Sequence, residues 1–307
     1  PKNSICIDGV RLIPIKLIDV AGLVPGAHEG RGMGNKFLDD LRQADVLIHI
    51  VDASGSLDAE GQEVAAGSYN PVEDVKFLED EITEWILGIV TKDWRRITGR
   101  VRAEGAKLDE LLVEKLSGLK ITRSQILKAI RNADLNAESA DKWSDEDLRR
   151  FARTLQRVAK PIIIAANKID RPTAHENYER LRETFPDLLV LPVSALAEKV
   201  LRDLDKRGII RYVPGDEDFK ILQPDKLSES ELAQLEKLRT DILKRYGGTG
   251  VQRILNDAVF GFLKMITVYP VHDVNTLSDS EGNVLPDVCL LYTSDAADEG
   301  LGVDLGG

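Results

Sequence analysis

Four short apolar runs punctuate the chain: "LIPIKLID" at 12–19, "VLIHIVD" at 46–52, "PIIIAAN" at 161–167 and "LLVLPVS" at 188–194. Near-continuous apolar character over a few residues, closed by a polar or turn residue, predicts strands covered on both faces, as in a parallel sheet flanked by helices. Ahead of the first run, "ICIDGVRLI" sets Asp8 and Gly9 between two strand-like stretches, which predicts an antiparallel hairpin. Between the second and third runs the period changes. Val75, Leu78, Ile82, Trp85, Ile86 and Ile89 recur every three or four residues, and Ile97, Val101, Leu108, Leu111, Leu112 and Leu116 continue in rough heptads. That spacing predicts two helices folded back as an antiparallel coiled-coil hairpin. A further helix opens on Ser144, with Asp147 at the capping-box position. Beyond residue 195 amphipathic helices are predicted over 196–207, 227–246 and 249–264, with Gly247 and Gly248 ending the second. "ITVYPVHD" then starts a β-type segment.

The layout is that of an α/β domain, 1–66 and 159–264, interrupted by an all-helical segment at 67–158 and followed at 265–288 by the first strands of another domain. Composition adds limits. The 307 residues carry a net charge of −11, which argues against a surface coated with basic residues for DNA. The exception is local, since Lys92 to Arg131 holds eleven Lys and Arg against five Asp and Glu. The two cysteines, Cys6 and Cys289, have no metal-like spacing and suggest no disulfide framework, which fits a reducing cytoplasm. No apolar run approaches the ~18 residues of a membrane span, so no membrane partner is expected.

Three motifs at the ends of these runs carry chemistry. Asp19-Val20-Ala21-Gly22 places a carboxylate after the first run and a glycine three residues on. Asp19 can hold the water shell of Mg²⁺, and the Gly22 N–H can touch a terminal phosphate. "NKID", Asn167 to Asp170, closes the third run. The Asp170 carboxylate can accept both N1–H and the exocyclic amine of guanine, a donor pair that adenine lacks. Asn167 would bridge the base edge and neighbouring loops, and the Lys168 stem would lie along the base plane. Ser194 and Ala195, closing the fourth run, would bring backbone N–H groups towards guanine O6. Such a site needs a phosphate-cradling loop, yet no G-x-x-x-x-G-K-[ST] occurs in these residues.

The stretch "DVAGLVPGAHEGRGMGNKFLDDLRQADVLIHIVDASG", together with "IIIAANKID", resembles the Obg-related YchF family of P-loop GTPases, in its archaeal-type branch. The resemblance runs from residue 1 to about 288. It implies a Ras-like sheet interrupted by a helical insertion, then a small β-rich TGS domain, with GTP and GDP as bound nucleotides, Mg²⁺ as cofactor and the ribosome as partner. The basic segment 92–131 is the candidate contact with ribosome or rRNA. Members begin with a strand and the phosphate loop, and have a switch segment with a Mg²⁺-binding Thr; these are not among the 307 residues, so the chain is expected to be a fragment. In the implied sheet the missing strand lies between the one ending at Asp19 and the one ending at Asp52, so its loss is expected to leave a gap beside 13–19 or a substitute pairing. Where Ras-like enzymes carry a water-orienting Gln, this sequence has Leu23; His28 is a candidate aligning group, or the ribosome supplies one. From Cys289 onward, "CLLYTSDAADE" resembles a reading-frame translation of a sequencing adapter, and 289–307 is set aside as artefact. Two alternatives stay open: an ATPase of the same family, and a nucleotide-independent ribosome- or RNA-binding adaptor.

Overall fold

The computed structural model describes residues 3–20 and 40–292. The hairpin forms as expected. β1 (Ile5–Ile7) and β2 (Val10–Leu12) pair antiparallel, Ile5 opposite Leu12 and Ile7 opposite Val10. Asp8 and Gly9 turn the chain at φ +46° and +83°, the paired positive values that a two-residue hairpin turn requires.

The apolar run at 12–19 departs from expectation. β2 stops at Leu12, residues 13–20 take no regular secondary structure, and Leu17 is 67% exposed. A strand persists only while its N–H and C=O groups have a ladder partner, and none of the described residues pairs with 13–20. Among the described residues no substitute pairing forms along 13–20.

The other three runs do form one sheet. β3 (Leu47–Asp52), β4 (Ile162–Asn167) and β5 (Leu189–Pro192) lie in the order β3-β4-β5. Ile162 to Ala166 of the central strand are all buried, which explains the unbroken apolar run. β3 lies at an edge, and its Ile50 is 66% exposed.

Between β3 and β4 the chain is helical, but not as a two-helix hairpin. It forms α1 (Val72–Thr91), α2 (Trp94–Glu104), α3 (Leu108–Leu116), α4 (Arg123–Asn132) and α5 (Asp145–Ala159). Asp93, Gly105 and Lys120 take φ of +65°, +66° and +56°, left-handed values that end a helix. The heptad-like apolar positions 97–116 are thus split across α2 and α3, and the coiled-coil expectation fails. α1 packs instead against α5. The capping box at Ser144 does form: Asp147 N–H donates to Ser144 Oγ at 3.1 Å, and Ser144 N–H donates to Asp147 Oδ2 at 2.9 Å.

After β4 come α6 (Ala174–Thr184), β5 and α7 (Ala195–Lys206). A hairpin of two-residue strands, β6 (Ile210–Arg211) and β7 (Lys220–Ile221), precedes α8 (Glu229–Leu238). Leu201, Ile210, Tyr212, Phe219, Leu235 and Leu243 gather here into one buried cluster. α8 runs on into a π-helical stretch, Arg239–Lys244, and α9 (Val251–Asn256) into another, Asp257–Phe262. Between them Gly247 and Gly248 take φ of +74° and +125° and turn the chain as expected. Finally β8 (Ile266–Val268) pairs antiparallel with β9 (Cys289–Leu291), so three of the residues set aside as artefact are drawn into a strand.

The chain divides into two compact units. One takes in the residues up to Leu17, Ala165–Tyr178 and the chain from Leu191 on; the other takes in Ile18–Ile164 and Glu179–Val190.

Candidate functional site

β4 carries Asn167 at its last position, and Lys168 then breaks the strand at φ +63°. This left-handed residue turns the chain so that Ile169 N–H donates to Val193 O at 3.1 Å, locking the loop to the strand end beside it. Asp170 follows, exposed.

The second loop interlocks with the first. Ser194, fully buried, caps α7: its Oγ accepts Ala197 N–H at 3.1 Å and donates to Asp170 Oδ1 at 2.6 Å. One step on, Ala195 N–H donates to Asn167 Oδ1 at 3.1 Å. Four of the predicted residues are therefore held by two side-chain bonds, Asn167 with Ala195 and Asp170 with Ser194. Lys168 supplies the turn between them. An exposed carboxylate oriented by a buried hydroxyl is able to accept a pair of ligand N–H groups from one edge of a flat ring.

Behind this face stand residues that sequence reasoning missed. Ser194 N–H donates to Thr249 O at 2.9 Å. Glu198, 5% exposed, accepts from Thr249 Oγ1 at 2.6 Å and Tyr212 OH at 2.9 Å, and pairs with Arg202. Burial first, and the Glu198 carboxylate second, raise the Tyr212 phenol above its ordinary pKa, so it remains a donor. The only signal in the sequence was the "GGTG" at 247–250, whose glycines mark a tight turn.

Of the residues expected at the phosphate end, Asp19 is the one among the described residues. Asp19 is exposed and lies in the unit that does not contain Asn167 and Ser194. Gly22, Leu23 and His28 lie outside the described residues. Among the described residues no group of three or more His, Cys, Asp or Glu could hold a metal ion. Nor is any helix among them long and apolar enough to cross a membrane.

Residues 165–273 match the family described as "Obg-like GTPase YGR210-like, G4 motif-containing domain", a span that includes Asn167 to Asp170 and Ser194. Residues 3–79 match the family described as "50S ribosome-binding GTPase". An uncharacterized GTP-binding protein of Methanocaldococcus jannaschii is 51% identical over 97% of this chain and 73% of its own length. The chain belongs to the Obg-like/YchF-type GTPase family. A second family relative, the ribosome-binding ATPase YchF of Pasteurella multocida, is 28% identical over 70% of this chain and 56% of its own length. The crystal structure of a GTP binding protein from Pyrococcus horikoshii OT3 aligns with a TM-score of 0.71 and 38% identity, covering 95% of this chain and 73% of that one. The fold is accordingly the mixed α/β GTPase fold of this family.

Proposed function

We propose that this chain is the base-reading and effector portion of a cytoplasmic GTPase that hydrolyses GTP to GDP and phosphate. The observation that carries the proposal is the bond from Ser194 Oγ to Asp170 Oδ1 at 2.6 Å. A carboxylate steered in this way, with Asn167 tied to Ala195, suits the N1–H and exocyclic amine of guanine. Adenine offers a ring acceptor at N1 and no amine at C2, so the same carboxylate would repel it. This favours GTP over the ATPase alternative.

Binding and orientation of the base are what these residues do. Asp19 and Gly22 are proposed for the phosphate end, and a bound Mg²⁺ would supply charge neutralisation there. Residues 265–288 are proposed as the start of a TGS domain. The 307 residues hold no G-x-x-x-x-G-K-[ST], so this chain by itself is expected neither to bind GTP with micromolar affinity nor to hydrolyse it.

The test is calorimetry on the gene product that contains this chain, with GTP, ATP and XTP at fixed Mg²⁺. Asp170→Asn is expected to lower GTP affinity and raise that for XTP, whose C2 carbonyl accepts from the new amide. Equal GTP and ATP affinity in the unaltered protein would sink the reading.

A ribosomal or rRNA contact has its own support in α2. Arg95, Arg96, Arg100 and Arg102 are exposed while Ile97 and Thr98 are buried, so the helix presents arginines outward. Their ion pairs, Arg96 with Asp93 at 3.8 Å, Arg100 with Glu104 at 3.2 Å and Arg102 with Asp141 at 4.0 Å, are solvent-exposed and readily exchanged for phosphates.

A further inference from the structure

Thr249 is 1% exposed and bonded on two sides. Its hydroxyl donates to the buried Glu198 at 2.6 Å, and its carbonyl accepts the Ser194 N–H at 2.9 Å. Glu198 sits on the first turn of α7, the helix that Ser194 caps, and Tyr212 OH donates to the same Oε2 at 2.9 Å. The next residue adds a second constraint. Gly250, at φ +83°, lies so close to the end of β5 that an added Cβ would meet Pro192 O at 2.0 Å. The turn at 249–250 is thus pressed against the loop that holds Ser194 and Ala195.

We infer that Thr249 is a positioning residue for guanine specificity, acting through Ser194 on Asp170. Its hydroxyl, anchored on Glu198, fixes the direction of its carbonyl; the carbonyl fixes the Ser194 N–H; and that fixes where Ser194 Oγ holds the Asp170 carboxylate. A hydrogen bond to a reading group discriminates only if the group cannot swing to accommodate a poorer ligand. Asp170 is itself exposed, so this restraint has to come from behind it. The inference rests on the guanine reading above.

Inosine lacks the exocyclic amine of guanine, so the ratio of GTP to ITP affinity reports the grip of Asp170 on that amine and is blind to the phosphates. In the gene product containing this chain, Thr249→Val should lower GTP affinity by about five- to tenfold, the range of one net hydrogen bond, and lower ITP affinity by less, because inosine keeps only the N1–H that Asp170 accepts, so the ratio of GTP to ITP affinity falls. Thr249→Ser, which keeps the hydroxyl, should restore the ratio. Should Thr249→Val fail to fold, Thr249→Ala removes the hydroxyl without placing a methyl against Glu198 and serves the same comparison. Parallel losses for GTP and ITP, or an unchanged ratio in a folded variant, would overturn the role of Thr249 and leave the guanine reading standing. A wild-type protein that does not prefer GTP to ITP would instead overturn the guanine reading itself.

Discussion

Arg157 holds Glu79 with two guanidinium nitrogens, at 3.2 and 3.3 Å. Glu79 on α1 is 3% exposed. One helical turn earlier on α5, Arg153 pairs with Asp80, and one turn before that Arg149 pairs with Glu84. Arginines descending α5 meet acids ascending α1, so the two helices run antiparallel.

Glu79 is buried, whereas the Arg157 side chain is partly exposed and also pairs with Asp187 at 3.6 Å. Arg157→Ala, which strands the Glu79 carboxylate, is expected to destabilise the protein by about 1–2 kcal/mol, and Glu79→Leu with Arg157→Leu by less. Urea unfolding followed by circular dichroism measures both; equal costs for the single and double variants would contradict the pairing argument.

Stability should also fall with acid because of His49. Its Nδ1 is buried with no hydrogen-bond partner among the described residues, and burial depresses the imidazole pKa to about 4. Between pH 6.5 and 4 the unfolded chain takes up a proton that the folded protein refuses, so stability is full above that window and declines through it. His49→Gln should flatten this part of the profile. NMR titration of the imidazole near its ordinary value would contradict the expectation.

Gly250 and Gly247 make a matched comparison. Both have positive φ, +83° and +74°, but an added Cβ at Gly247 meets nothing within 4 Å. Gly247→Ala is expected to cost about 1 kcal/mol, the ordinary penalty of that conformation, and Gly250→Ala at least about 3 kcal/mol. Thermal melts showing equal shifts would mean that the turn does not press on β5.

If α2 contacts RNA, the quadruple variant Arg95→Gln, Arg96→Gln, Arg100→Gln, Arg102→Gln should bind ribosomal subunits more weakly. Its log affinity against log salt should be shallower by about one unit for each arginine that touched a phosphate. An unchanged slope would mean that the arginines are only solvated.

How much was legible followed from whether the cause was local. The loop at Asn167 to Asp170 could be placed because Ile162 to Ala166 are apolar without interruption, and that pattern suits a strand covered on both faces. The Ser144 cap and the Asp8-Gly9 turn are likewise settled within four residues. The strand at 12–19 could not be read because pairing needs a partner elsewhere, and the apolar pattern carries no information about whether one is present. The coiled-coil hairpin failed at Gly105, whose left-handed conformation ends α2 in the middle of the heptad-like positions 97–116, a break that the apolar spacing does not record. Glu198 resembled any polar residue of an amphipathic helix; its burial depends on Tyr212 and Thr249, 14 and 51 residues away.

The two π-helical stretches on either side of the Gly247–Gly250 turn bear on how this region tolerates changes in length. A π turn accommodates one residue more than an α turn, and Gly248 N–H reaches back five residues to Leu243 O at 2.9 Å. Deleting one residue within Arg239–Lys244 or Asp257–Phe262 would let the helix relax to α geometry with its apolar face still aimed at the core. The same deletion inside α8 would rotate everything downstream by about 100° and carry Leu243 out of its cluster. Single-codon deletions should therefore be survivable in these two stretches and damaging one turn away.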